Sequence, residues 1–376
     1  MRILFTSQGH TALVDPDAPV PRYLAFDFPA QETWQPAAVF SDGRRLLLLS
    51  MEARRDGPGK PFAEYYHHTP THIWICDLED DALSEVVIAP RLAAFQTPQL
   101  LLDDARMLVQ VVRDEGGQIY NVSLDGTDAR PITQLGEGLP YGFDLSPDGT
   151  RLAYHLASPQ GYQIWTSDPF GQQRQLVAGH DDWLFFGPKW SPDGAWLAYQ
   201  GCLYKGDPGH DWADLWIARP DGSQQRRLTS DQALWFAASY GPRERHGGGS
   251  NMPVWTPDGA LIASCRTPGA RVPWAYQPQR PDVDHFNRDF VPEQARGGAQ
   301  IRRFDIDSGT SEALTEAAEG IWDFRQSASP DGKQLLFCRA PTGAAPTIWV
   351  AGAEGEQARP LTQGWRELGA DHPRWL

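Results

Sequence analysis

The chain reads as an all-β, seven-bladed β-propeller, and three observations predict it. First, one phrase occurs twice within residues 141–229: an aromatic, Ser-Pro-Asp-Gly, Leu-Ala-Tyr, Ile/Leu-Trp, a second glycine turn, then a polar run reaching Leu. The two tetrapeptides start at Ser146 and Ser191, 45 residues apart. A period of roughly 40–50 residues with several short strands per unit marks a propeller. Second, 36 Gly and 32 Pro supply the turns that many short strands need. Third, the two ends complement one another: MRILFTS fits the strand after a turn and DHPRWL the strand before one.

Each element has a local reason. Pro-Asp-Gly combines a pre-set φ, a side-chain acceptor and a residue tolerant of positive φ, so it makes a tight turn. The flanking runs LAYH, LAYQ, QIWTSD and LWIAR are short, apolar and β-rich, as strands are. Aligned on this turn, unit two carries Asp42-Gly43, unit three the degenerate Asp103-Asp104, and units four to seven Asp148-Gly149, Asp193-Gly194, Asp258-Gly259 and Asp331-Gly332. Third-strand phrases follow in most units, among them THIWICDL, QIYNVSLDG, DLWIARPDG and TIWVAGAEG. Unit one lacks a first strand, which the C-terminus is expected to supply. The chain is thus expected to be one domain over residues 1–376, with blade one from about 1–30 plus 369–376. That closure would remove the exposed sheet edges that template aggregation. Long insertions at about 51–71 and 266–299, and a shorter one around GCLYKGDPGHDWA, fall between second and third strands. Loops of this length are usually functional.

Fifteen Trp are enough wedges to fill seams between blades, and a formal net charge of −15 argues against a nucleic-acid partner. The four cysteines show no C-x-x-C pair, and Cys76, Cys265 and Cys338 sit in apolar strand patterns that suit buried thiols. The N-terminus does not read as a signal peptide, and no run reaches the about 18 apolar residues of a membrane span. A cytoplasmic protein without membrane attachment, monomeric or homodimeric, is therefore expected.

The chemistry-bearing residues gather on one face. In a propeller, second-to-third-strand and blade-to-blade connections emerge together, opposite the Asp-Gly turns. His10, His67, His68, His210 and His285 are placed in the first kind of connection, His180, His246 and His372 in the second, with His155 ending a second strand and His72 starting a third. Loops collect polar residues on any face, but that would put histidines on both. Cys265-Arg266 and Cys338-Arg339 are read as equivalent positions just past two second strands, with Arg243, Arg245, Arg271, Arg280, Arg288 and Arg325 in neighbouring loops. Guanidinium groups match carboxylates, so an anionic ligand suits this face, although many of these charges are ordinary solvated ones. Tyr141, Trp183, Tyr204, Trp212, Trp274, Tyr276, Trp322 and Trp365 are dense there and suit either sugar stacking or seam packing. No G-x-S-x-G elbow, H-E-x-x-H, Walker or dinucleotide fingerprint is present.

The repeated SPDG–LAY–IW–DG–LT phrase resembles the TolB-type, WD-repeat-like propellers over essentially the whole chain. The segment from Gly187 to Leu228 resembles oligogalacturonate lyases more closely, with His210 and Asp211 on matching positions. That resemblance implies a seven-bladed cytoplasmic enzyme breaking a uronic-acid chain by β-elimination, with a manganese ion held by three His and a Gln, a His base and an Arg. The match is partial. The family's C-terminal His-Pro-His-Pro phrase is Asp371-His372-Pro373-Arg374-Trp375, its unit-six histidine is Met252, and its Gly-His-Pro is Phe186-Gly187-Pro188. Either another set (His246, His285, His372) holds a divalent metal, manganese or calcium, or the protein works without one.

β-Elimination needs a base for the proton α to the carboxylate, a cation for the developing enolate and an acid for the leaving oxygen. His210 or His246 is the expected base, Arg266 and Arg339 the carboxylate clamps, and Tyr276 or Tyr204 the acid. Arg243, Arg245, His285, Arg288, Arg325 and Trp322 are expected to bind the anionic oligosaccharide substrate. Two other readings stay open: a non-catalytic propeller binding a protein or sugar through this face, and a glycoside hydrolase using two carboxylates among Asp282, Asp284, Asp289 and Asp323.

Overall fold

The computed structural model describes residues 1–7, 10–24, 32–52, 68–80, 82–94, 96–158, 161–203, 212–234, 236–238, 248–276, 288–362 and 371–376; for 10, 32–36, 236–238, 248–250, 274–276, 288–289 and 371–372 it describes the backbone alone. Among these residues the architecture is almost entirely β, with a single 3-10 turn at Pro292–Gln294. Three groups of four antiparallel strands form separate sheets, and seventeen further strands join in one sheet whose antiparallel runs repeat the same pattern. Blade one runs outward from Asp371–Trp375 through Ile3–Ser7 and His10–Asp15 to Ala18–Tyr23. The C-terminal strand therefore does supply the innermost strand of the N-terminal blade, with Trp375 opposite Ile3 and Arg374 opposite Leu4.

Hydrophobic clusters explain why this sequence cannot stop at one blade. Leu47, Leu49 and Ile73 of blade two pack with Met107, Val109 and Tyr120 of blade three. Ala153 and Ile164 of blade four pack with Phe185 and Tyr199 of blade five, and Ile262 and Ile301 of blade six with Leu335 and Phe337 of blade seven. The core is a set of seams, so second strands are buried on both faces and read as continuous apolar runs, as in Leu46–Leu49. All four cysteines are buried, and none is in a disulfide.

Three repeated polar devices account for the sequence phrase. In the Asp-Gly turns the hydroxyl donates to the aspartate two residues on: Ser146 to Asp148 at 2.6 Å, Ser191 to Asp193 at 2.5 Å, Ser329 to Asp331 at 2.6 Å. In the Leu-Thr phrase, the Thr hydroxyl accepts a third-strand N–H that the short fourth strand leaves unpaired. Thr133 accepts from Ile119, Thr229 from Leu215, Thr315 from Ile301 and Thr362 from Ile348, all at 2.8–2.9 Å. Finally, one second-strand position ties each of blades three to six to the inner strand of the next. Gln110 donates to the Pro140 carbonyl, His155 Nδ1 accepts from Gly187 N at 3.3 Å, Gln200 donates to the Asn251 carbonyl at 3.1 Å, and Ser264 donates to the Asp323 carbonyl at 2.5 Å.

The unit-six insertion contains structure of its own: a hairpin of Trp274–Tyr276 with Arg288–Phe290, followed by the Pro292–Gln294 turn. Among the described residues no helix is long and apolar enough to cross a membrane.

Candidate functional site on the propeller axis

Four of the inner strands share a β-bulge, and strand register puts one residue of each at the same place in it. Gly142, Gly187, Arg325 and His372 each precede by two the residue that resumes pairing: Asp144, Lys189, Ser327 and Arg374. These positions, with Met252 beside Gly187, line the inner ring of strands, and contacts link neighbouring blades there. A β-carbon on Gly142 would lie 3.5 Å from Gly187 Cα, and one on Gly187 only 1.9 Å from the Met252 sulfur. Gln326 donates to the Met252 carbonyl at 2.8 Å, and Arg374 of blade one reaches the Ala37 carbonyl of blade two at 2.5 Å.

Bulges are a common device for re-aiming a side chain near a functional site. At three of these positions the backbone is left-handed: φ is +46° at Gly142, +63° at Gly187 and +52° at Arg325. Glycine takes this conformation freely, whereas for a long side chain it costs about 1–3 kcal/mol and persists only where neighbours enforce it. At Arg325 the enforcing group is Asn251, whose Oδ1 accepts the Arg325 N–H at 2.7 Å. Asn251 is itself buried and fixed, its Nδ2 donating to the Leu234 carbonyl at 2.8 Å. Arg325 is half-buried, as is Arg374 on the adjacent inner strand. Burial, with the like charge of Arg325 added, pulls the Arg374 guanidinium down to about 10.

On the other side of the ring, His155 is sandwiched between Tyr141 and Tyr162, at ring-centre distances of 5.3 and 6.0 Å. Accepting the Gly187 N–H at Nδ1 puts a neutral ring's proton on Nε2. His155 lies inside its strand, Leu152–Ser158, and not at its end as the sequence suggested. Its role was legible in the repeat all the same: LAYH stands where the next unit has LAYQ, and both side chains make the same interblade link. Asn251 carried no comparable signal, because only the bulge register gives it a purpose.

The other expected site residues divide into groups. His210, His246, Tyr204, Arg243, Arg245 and His285 lie outside the described residues. Tyr276 and Arg288 face each other in the hairpin register, with backbone alone described. Arg266 is half-buried, with its guanidinium 5.5 Å from the centre of the Trp212 ring. Four expectations are corrected. Arg266 and Arg339 are not equivalent: Ser264 and Cys338 both oppose the conserved-phase isoleucines Ile301 and Ile348, so the two arginines stand one residue out of phase. A one-residue slip turns a side chain to the other sheet face. Arg339 is no open clamp, because its Nε and Nη2 donate to the Asp323 carboxylate at 2.6 and 2.7 Å. Asp323 is fully buried, and burial pushes its carboxyl upward against the opposing pull of Arg339, which removes it as one of the paired hydrolytic carboxylates. Trp322 is fully buried too, donating to Thr342 at 2.9 Å, and is a seam wedge out of a ligand's reach.

No protein-family model matches the chain. A TolB homologue from Chlorobium luteolum is 33% identical over 127 residues, which is 33% of this chain and 26% of that relative's length. The solved structure of an oligogalacturonate lyase in complex with manganese covers 96% of this chain and 84% of its own, at 15% identity and a TM-score of 0.57. One of two prolyl endopeptidases covers 98% of this chain but only 50% of its own, at 10% identity and a TM-score of 0.61. The fold is thus a β-propeller of the kind these proteins share, and the resemblance to TolB and oligogalacturonate lyase is supported.

The described ring does not fit a manganese ion. Of the three positions where the lyase resemblance implies imidazoles, two hold the neighbouring residues Gly187 and Met252, and the third keeps His372. Manganese prefers oxygen and imidazole donors to a thioether, and a side chain at Gly187 would collide with Met252. Among the described residues no three His, Cys, Asp or Glu side chains are grouped to hold a metal. The alternative set His246, His285 and His372 falls outside the described side chains.

Proposed function

We propose that this protein is a lyase that cleaves uronic-acid-containing oligosaccharides by β-elimination at the face where the second-to-third-strand connections emerge. The observation that carries the reading is the extent of the likeness to the manganese-bound lyase structure, which runs through most of both chains, whereas the peptidase likeness leaves half of the peptidase unmatched. The half-buried Arg266, whose guanidinium lies over the buried Trp212 ring, supplies a charge that suits the carboxylate of a uronic acid. In this reading His210 or His246 removes the proton α to the carboxylate and Tyr204 or Tyr276 protonates the leaving oxygen. Arg339 does not touch substrate; its ion pair with Asp323 holds the inner strand in place.

The test is ultraviolet absorbance with time on a panel of uronic-acid oligosaccharides, with and without chelator. A rising signal from a new C4=C5 double bond is expected. A flat trace on every substrate from folded protein would overturn the lyase. The second reading, a propeller that binds without catalysis, is favoured by the TolB homologue match and by the metal-poor ring. It predicts saturable oligosaccharide or protein binding with no absorbance change.

A further inference from the structure

Strand register isolates one pair of residues that breaks the repeat. The third strands of blades two to seven share a buried anchor: Ile73, Ile119, Ile164, Leu215, Ile301 and Ile348. Opposite these anchors, on the second strands, stand Leu49, Gln110, His155, Gln200, Ser264 and Cys338. Two residues further on, the second strands carry Met51, Val112, Ala157, Cys202 and Ala340, apolar throughout and buried in all but Ala157, whereas blade six carries Arg266. Three residues before the anchor, the third strands carry Pro70, Gly116, Gly161, Gly298 and Ala345, whereas blade five carries Trp212. The two exceptions meet across one seam, the Arg266 guanidinium 5.5 Å from the Trp212 ring centre. The backbone beneath them is fixed: Trp212 pairs with Leu234, Ala233 with Cys265, and the Arg266 N–H donates to the Gln232 carbonyl at 2.8 Å. Departures from an otherwise consistent pattern concentrate at functional sites.

Other arginines lie over tryptophan rings, and there the guanidinium is committed. Arg174 over Trp165, Arg219 over Trp196 and Arg339 over Trp349 stand 5.0, 3.8 and 4.5 Å from the ring centres. Arg174 donates to Glu137, Arg219 to the Ala195 carbonyl at 3.1 Å and Arg339 to Asp323 at 2.7 Å. Among the described residues the Arg266 side chain has no hydrogen bond or ion pair, and it is half-buried. An aromatic ring holds a guanidinium by its face and leaves the N–H edges for a carboxylate, where an acidic partner would have neutralised it. We propose that Trp212, too buried to stack on a sugar itself, is a positioning residue that presents Arg266 to the carboxylate of a uronic acid. The uronic acid as ligand rests on the reading given above.

The experiment is calorimetric titration of the full chain, well below its thermal midpoint, with galacturonate and with neutral galactose. Galacturonate is expected to bind and galactose not to. Arg266→Met installs the residue that blade two has at this position, so it should keep or raise the thermal midpoint while weakening galacturonate at least tenfold. Arg266→Lys should fall between, keeping charge without the fork. Trp212→Phe keeps a ring with a weaker hold on a cation and should weaken galacturonate about threefold. In the Arg266→Met background the same change should leave the residual binding as it is, which is the mark of a residue acting through Arg266. A structural Trp212 would lower the midpoint in both backgrounds and leave affinity alone, and that result would overturn the assignment. So would unchanged binding in Arg266→Met, or no galacturonate binding at all. The two readings separate cleanly. Arg266-dependent binding without a double-bond signal sinks the lyase and keeps the pair, whereas turnover indifferent to Arg266→Met sinks the pair and keeps the lyase.

Discussion

Asp323 accepts two hydrogen bonds from Arg339, at 2.6 and 2.7 Å, from a position with no solvent exposure, while the Arg339 guanidinium lies 4.5 Å from the Trp349 ring centre. The carboxylate belongs to the inner strand of blade seven and the arginine to the strand behind it, so the pair fastens the strand that carries Arg325. Removing one partner of a buried ion pair strands the other charge and costs about 3–5 kcal/mol, whereas replacing both with apolar residues is often close to neutral. Arg339→Met should therefore destabilise by about that amount in urea denaturation, and Asp323→Leu/Arg339→Met should regain most of it. A single variant costing less than about 1 kcal/mol would mean the pair is solvated after all.

The Leu-Thr phrase gives a second test. Thr362 is fully buried and accepts the Ile348 N–H at 2.9 Å. Thr362→Val keeps the shape and strands that donor, at a cost of about 1–3 kcal/mol. Thr362→Ser keeps the acceptor and should lose clearly less. Equal losses for the two variants would assign the effect to packing and not to the hydrogen bond.

At Gly187 two penalties coincide: φ is +63°, and an added β-carbon would lie 1.9 Å from the Met252 sulfur. Gly187→Ala should thus destabilise by more than the about 1–3 kcal/mol of a left-handed residue alone. Adding Met252→Ala removes the collision but not the strain, so the double variant should be more stable than the sum of the singles implies. Strict additivity would show that the two residues are not in contact.

Acid stability should report the turns. Asp42 is held down to about 2 by N–H groups and the side chain of Arg45, Asp77 to about 2 by the Arg44 guanidinium, and Asp125 to about 2 by the Ser123 and Thr127 hydroxyls and N–H. A carboxyl that titrates lower when folded than the roughly 3.9 of an unfolded chain contributes stability above that unfolded value and loses it as pH falls toward 2. Asp323, raised by burial, acts in the opposite direction. Thermal midpoints should hold down to about pH 4 and fall between about 4 and 2, with a smaller fall in Asp125→Asn. A midpoint that is level to pH 2 would contradict the turn bonds.

Much of this protein was decided by its sequence alone. Turn chemistry and β-propensity are local, so the Ser-Pro-Asp-Gly turns, the four-strand units and the pairing of Asp371–Trp375 with Ile3–Ser7 could all be read before any coordinates. What only the tertiary structure decided is phase. Arg266 and Arg339 look equivalent as Cys-Arg pairs, yet cross-strand register puts them one residue apart and commits Arg339 to a carboxylate on a neighbouring strand. Trp322 was equally a stacking platform or a wedge until its burial was known. The resemblance had already grouped Gly187, Met252 and His372, but Gly142 and Arg325 share no residue type or motif with them. Gly142, Gly187, Arg325 and His372 share a bulge, and a bulge exists only once two strands are paired.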